Sequence, residues 1–142
     1  MTSLPHFPYH RDPESSGSIR SSDAACECCG KAPGLLYDGV VYAEESVQNL
    51  CPWCIADGSA ADKFDAEFFD AYFCDDDQNE VKMPPEAYRE VFSRTIGFPT
   101  FNPIGWWVHC NQPAEYVTRN EPYEMVFECR VCHQRHAIDD LD

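Results

Sequence analysis

The chain is short of positive charge. Its 142 residues hold 10 Lys and Arg against 25 Asp and Glu, a formal net charge of −15. A polyanion of this kind repels nucleic acid in bulk, and it lacks the basic footprint with which zinc modules grip DNA or RNA. Direct nucleic-acid binding is therefore not expected; the acidity suits solubility or a basic protein partner. No apolar run reaches the length of a membrane span. The opening MTSLPHFPYHRDPESSGS carries neither a basic n-region nor an apolar h-region, so no signal peptide and no membrane association are expected, and the predicted compartment is the cytoplasm. Gly-rich phosphate loops, a nucleophile elbow and a His-Glu-x-x-His run are all missing. Internal repeats and low-complexity segments are missing too. The expectation is a protein that is not an enzyme.

What the sequence has in excess is cysteine. There are 9, beside 44% apolar and 13% aromatic residues, more than a core of this size requires, and metal staples account for them. Cytoplasmic thiols stay reduced and bind metal rather than pair, and an odd count argues against a complete disulfide framework. Residues 26–58 organise the rest. With Cys26 and Cys29 as one pair and Cys51 and Cys54 as the other, the spacing is C-x2-C-x21-C-x2-C, close to that of a structural zinc site. Each C-x2-C turn brings two thiolates to one metal, and two turns complete a tetrahedron. Gly30 permits the positive φ that such a turn needs after its second Cys. Asp38-Gly39 lies between apolar runs and predicts a β-hairpin. Knuckle, hairpin and a Cys pair opening a helix together make a treble-clef-like module. Two other readings stand beside it: a pair of disulfides, and a redox motif at residues 51–54. A redox pair wants a βαβ context and no matching partner pair, whereas here the partner pair exists.

The predicted class is α+β, a small zinc-stabilised single domain over 1–142. Residues 1–24 form an N-terminal extended arm and loop. Pro5 and Pro8 favour extended backbone, Phe7 and Tyr9 pin it, and His6 and His10 read as surface or packed imidazoles. Residues 25–74 form the zinc module and an acidic helix. Beyond Ser59, the residues Phe64, Phe68, Phe69, Tyr72 and Phe73 fall on one broad helical face, with Asp62, Asp65, Glu67 and Asp70 on the other. With Asp75, Asp76 and Asp77 these make a partner-facing acidic ridge; a solvated face is the blander alternative. Cys74 reads as a small packed residue. Residues 75–142 hold a second helix and a C-terminal zinc-ribbon-like hairpin. Pro84 or Pro85 suits that helix's first turn and Gly97 its end. Residues 98–105 read as a loop, and residues 106–110 as a strand with Trp106 and Trp107 buried. The tail repeats C-x2-C at Cys129 and Cys132, and Cys110 adds a third thiolate. The fourth ligand of this second zinc site is open among His109, His133 and His136; the set carried forward is Cys110, Cys129, Cys132 and His133. A reduced Cys pair in a hairpin turn is the alternative.

The blocks LPHFPYHRDP, CECCGK, DGVVYAEE, CPWCIADGSAADKFDAEF and RTIGF followed by WWVHC resemble the CbrC family of bacterial proteins, from Leu4 to about Cys110. The resemblance implies a cytoplasmic protein associated with tolerance to a nuclease-type colicin, and it brings no catalytic mechanism. Its Cys pairs map onto Cys26 and Cys29 and onto Cys51 and Cys54. The chain departs from it at CECC, which leaves Cys28 as an alternative ligand, and at NQPAEYV after Cys110, where another Cys is expected. The functional expectation is an acidic zinc protein giving tolerance or immunity by binding a basic toxin domain. An adaptor or regulator binding another cytoplasmic protein is the second reading. A metal-dependent hydrolase using an open position on the second metal is the third.

Overall fold

The structure, a computed structural model, describes residues 4–98, 104–120 and 124–139; most of the expected loop at 98–105 lies outside them. Among the described residues, three small sheets and three short helices follow in the order β1 (Ile19–Ser21), β2 (Leu35–Tyr37), α1 (Pro52–Ala56), α2 (Ser59–Phe64), β3 (Ala71–Cys74), α3 (Pro85–Tyr88), β4 (Ile104–His109), β5 (Gln112–Pro113), β6 (Glu115–Asn120), β7 (Glu124–Glu128) and β8 (Arg135–Asp139). This is a mixed α+β chain. Strands β1 and β2 are antiparallel, β3 runs parallel to β4 while β5 returns on β4, and β6, β7 and β8 form an antiparallel meander.

Sequence pattern explains each sheet. Strand β4, IGWWVH, is apolar over four consecutive residues and fully buried there, as a strand covered on both faces must be. Strand β7 alternates buried Met125 and Phe127 with more exposed neighbours, the signature of a sheet with one wet face. Trp106 joins the layers. Its ring lies 5.0 Å from Phe69, 5.1 Å from Phe127 and 6.3 Å from Phe92, and its Nε1–H donates to the Ala114 carbonyl at 2.9 Å. Burying an indole with its one polar atom satisfied is the arrangement that lets Trp sit in a core. The arm packs as expected, with Phe7 2% and Tyr9 8% exposed, and its Ile19–Ser21 segment is strand β1.

Two expected elements are corrected. The Asp38-Gly39 hairpin does not form. Strand β2 takes Ile19–Ser21 as its antiparallel partner, while Tyr37 turns its hydroxyl back to donate to the Val40 carbonyl at 2.9 Å. Tyr42 then bridges to Glu67. The acidic helix is also much shorter than its pattern suggests. It stops at Phe64, Asp65 adopts φ 51, and residues 71–74 are strand β3. Here tertiary partners override local propensity. The Glu67 and Phe68 amides bond across the chain to the carbonyls of Tyr42 and Phe92, and Phe68 and Phe69 are both buried. The second helix begins at Pro85, as expected, and continues through a π-type turn over Arg89–Ser93. No helix among the described residues is long and apolar enough to cross a membrane.

Candidate metal centres

The first centre gathers Cys26, Cys29, Cys51 and Cys54, whose sulfur atoms all lie within 4.8 Å of one another. Cys26 Sγ is 3.9 Å from Cys54 Sγ, and Cys29 Sγ is 4.0 Å from Cys51 Sγ. Four thiolates around one zinc stand about 3.8 Å apart, the tetrahedral edge for a bond of about 2.3 Å. A disulfide would need about 2 Å, and all nine cysteines are free thiols. The donor set and its spacing thus fit a soft, tetrahedral metal ion.

The local chain explains the geometry. Cys26 and Cys29 sit in a tight knuckle closed by the Gly30 amide on the Cys26 carbonyl at 2.8 Å, with Gly30 at φ 76. Cys51 and Cys54 flank the first turn of α1, which opens with Pro52 and buries Ile55. The Glu27 carboxylate accepts the amides of Gln48 and Asn49 at 2.8 and 2.7 Å, tying the knuckle to the segment that leads into Cys51. Lys63 of α2 donates to the carbonyls of Glu27 and Cys28, placing a cation beside the sulfur cluster. Burial alone would push the Cys26 thiol up, but amide donors from Cys29, Cys51 and Cys28 outweigh it and bring it to about 7. Burial pushes Cys51 up to about 11 and Cys54 further up. The Cys26 thiolate forms readily, whereas Cys51 and Cys54 need a metal's charge to ionise. Cys28 stands outside the four; burial raises its thiol.

The second centre joins His109, Cys110, Cys129 and Cys132, again with all donor atoms within 4.8 Å. The His109 Nδ1 atom is 3.4 Å from both Cys110 Sγ and Cys132 Sγ; a tetrahedral zinc with one imidazole sets that edge at about 3.6 Å. The knuckle of the first centre is built a second time here. His133 N donates to Cys129 O at 3.0 Å, Cys129 N to Gln134 O at 2.8 Å and Val131 N to Cys129 Sγ at 3.4 Å. The first knuckle makes the same three contacts, Gly30 to Cys26, Cys26 to Lys31 and Cys28 to Cys26 Sγ. Burial would raise the Cys129 thiol, but the Cys132 amide, His109 and the Val131 amide bring it to about 6.

This repetition corrects the fourth ligand. His133 occupies the place of Gly30, at φ 66, and its ring pairs with Glu128 at 3.6 Å, away from the sulfur atoms. His109 takes the position instead. His136 serves behind it: its Nε2 donates to the Asp76 carbonyl at 3.1 Å, and its ring packs 5.1 Å from that of Trp107. Trp107 stacks on His109 at 4.8 Å and donates its indole N–H to Asp76 Oδ1 at 2.7 Å. An outer layer of this kind fixes a metal-binding imidazole. Spacing alone left His109 open beside His133 and His136, because it is adjacent to Cys110. The available signal was Cys110-Asn111, which turns β4 into β5 with φ 54 and 60, a two-residue type I′ loop that brings both side chains to one corner.

The acidic residues do not make one helical flank. Asp62 on α2 pairs with Arg89. Asp65 and Asp70 are exposed on either side of the buried Ala66, Phe68 and Phe69. Asp75 accepts the amides of Asp77 and Asn79 in a tight turn, Asp76 holds Trp107, and Asp77 is exposed.

Residues 4–125 match the model of an uncharacterised protein family, UPF0167. The match spans the first centre, His109 and Cys110, whereas Cys129 and Cys132 lie beyond it. A UPF0167 protein of Pseudomonas aeruginosa is 41% identical over 115 residues, covering 80% of this chain and 62% of the relative. Those of Mycobacterium bovis and Mycobacterium tuberculosis are each 42% identical over 115 residues, 80% of this chain and 59% of theirs. The chain therefore spans about three fifths of the length of these curated relatives. No solved structure matches it. The resemblance to the CbrC family is corrected by these findings, since the matching model and these relatives carry the UPF0167 name. The chain belongs to the uncharacterised protein family UPF0167.

Proposed function

We propose that this chain is a zinc-stapled, non-catalytic protein of a reducing compartment such as the cytoplasm, and that it binds a basic protein partner. The observation that carries the reading is the first centre's closed set of four sulfur donors, three of them buried. Four protein ligands leave no position for water, so zinc there stabilises the fold and does no chemistry. It completes a treble-clef-like knuckle-and-helix unit in which a strand from the N-terminal arm replaces the usual hairpin. The second centre, with His109 as its fourth donor, likewise leaves no position for water.

The charge of −15 supports the partner. Acidic surfaces gain association rate on basic domains by steering and discriminate against acidic ones. Nuclease domains are basic because their substrate is a polyanion, so a nuclease-type toxin is one partner class, and tolerance to it would follow from neutralisation. Metal analysis of reduced, chelator-free protein tests the first half: two zinc ions per chain are expected, and none would end the reading. For the second half, association with a basic nuclease domain is measured across ionic strength, with Asp65 and Asp70 reversed to Lys. A lower association rate at unchanged zinc content is expected; an unchanged rate removes this surface from the mechanism.

A further inference from the structure

The two centres differ in ways that bear on metal exchange. In the first, Cys26, Cys51 and Cys54 are buried and only Cys29 is exposed; in the second, only Cys129 is buried, while Cys110 and Cys132 are exposed and His109 half-buried. The first centre is also wound into the core beside Leu50 and Ile55, both 0% exposed. The second sits where two turns meet, Cys110-Asn111 after β4 and the knuckle after β7. Cys110 is neither Gly nor Asn, yet it holds φ 54. A side chain kept in that region is sustained by what its surroundings gain from it, and here the gain is a thiol aimed at Cys129 and Cys132.

We propose that the His109–Cys110–Cys129–Cys132 centre is an exchangeable zinc site that gives up its metal to, and takes it from, small soluble thiolate ligands, while the Cys26–Cys29–Cys51–Cys54 centre keeps its own. The proposal rests on the reading of both clusters as zinc centres. Exchange between thiolate sites needs an incoming sulfur to reach the metal as a resident one leaves. One Zn–S bond forms, one breaks, and the charge at the metal is conserved. Exposed Cys110 and Cys132 offer that approach, and the buried sulfur atoms of the first centre do not. Loss of the metal frees the two turns without undoing the fold. The base of the β7–β8 hairpin stays held by Phe127 against Trp106 and by His136 against Trp107. The centre thus works as a joint whose closure follows available zinc.

Native mass spectrometry on the reduced two-zinc protein, challenged with glutathione and a zinc-chelating dye, tests this. Two release phases are expected, separated on the order of tenfold or more by the apolar shell around the first centre. Cys132→Ser should lack the fast phase alone. The one-zinc species should keep its far-ultraviolet circular dichroism, and its tryptophan emission should shift as His109 leaves Trp107. A single rate for both metals, a fast phase that survives Cys132→Ser, or unfolding in step with the first release would overturn the proposal. A chain that takes up no more than one zinc at any free zinc concentration would overturn the two-centre reading beneath it as well.

Discussion

His10 gives the most direct test of the packing. It is 1% exposed, with its ring edge-on to Phe98 and Tyr116 at 5.2 Å each. Nδ1 lies 3.0 Å from the Ile96 carbonyl and Nε2 lies 2.9 Å from Ser16 Oγ. A carbonyl only accepts, so Nδ1 carries a proton, while the Ser16 hydroxyl that faces Nε2 also donates to the Pro13 carbonyl at 3.1 Å and lies 2.7 Å from Ser18 Oγ. Burial disfavours the charged ring, so the native fold selects neutral imidazole. Burial lowers the pKa of His10 from 6.5 to about 4, against smaller opposing effects of Ile96 and Asp12. Below the unfolded value the unfolded chain binds more protons than the native one, so stability is full above 6.5 and falls as pH drops toward 4. Linkage puts the loss at about 1.4 kcal/mol at pH 5.5 and about 3 kcal/mol at pH 4. Metal thiolates also protonate on acidification, so wild type must be compared with His10→Asn, which keeps both centres and has no titrating ring. Urea unfolding of the two proteins between pH 7.5 and 5.5 should converge, the wild type losing about 1.4 kcal/mol more than the variant. Parallel pH profiles would refute the neutral, buried imidazole.

Four substitutions probe the centres. Cys28→Ser should retain the first metal and Cys29→Ser should lose it, read by metal content; the reverse outcome would exchange their roles. His133→Gly should keep the second metal and raise stability by about 1 kcal/mol, because glycine adopts the left-handed conformation without the side-chain penalty; denaturant melts and metal content report both, and lost metal would restore His133 as a ligand. Asp76→Ala leaves the buried Trp107 N–H without its acceptor, at a cost of about 1–3 kcal/mol, and should weaken the second centre more than the first, seen by competition with a chelator.

The sequence made the two knuckles legible because their chemistry is local: two Cys at fixed spacing need only a turn. Pro85, the buried Trp pair and the hairpin that carries Cys129 and Cys132 were readable on the same ground. The elements that escaped depend on residues far along the chain. Leu35–Tyr37 pairs with Ile19–Ser21 from the arm, so Asp38-Gly39 looked like a hairpin and is a bend. Residues 64–73 are apolar at nearly every other or neighbouring position, which helix and strand templates both accept; the parallel pairing with Ile104–Trp107 decides the matter for residues 71–74. His109 was one of three candidate histidines, and spacing could not choose it because its role rests on the β4–β5 turn meeting the β7–β8 turn.

The ligands of the two centres are also distributed differently along the chain. All four sulfur atoms of the first lie within residues 26–54, while the second waits for Cys132, 78 residues after Cys54. At a translation rate of roughly 5–20 residues per second that interval lasts about 4–16 s. A nascent chain can therefore hold a finished tetrathiolate knot, with α1 wound and Leu50 and Ile55 ready to receive their neighbours, before the strand that carries Trp106 has been synthesised. Metal capture would then act first as a template for the arm and α1, and only later as a clasp on the completed body.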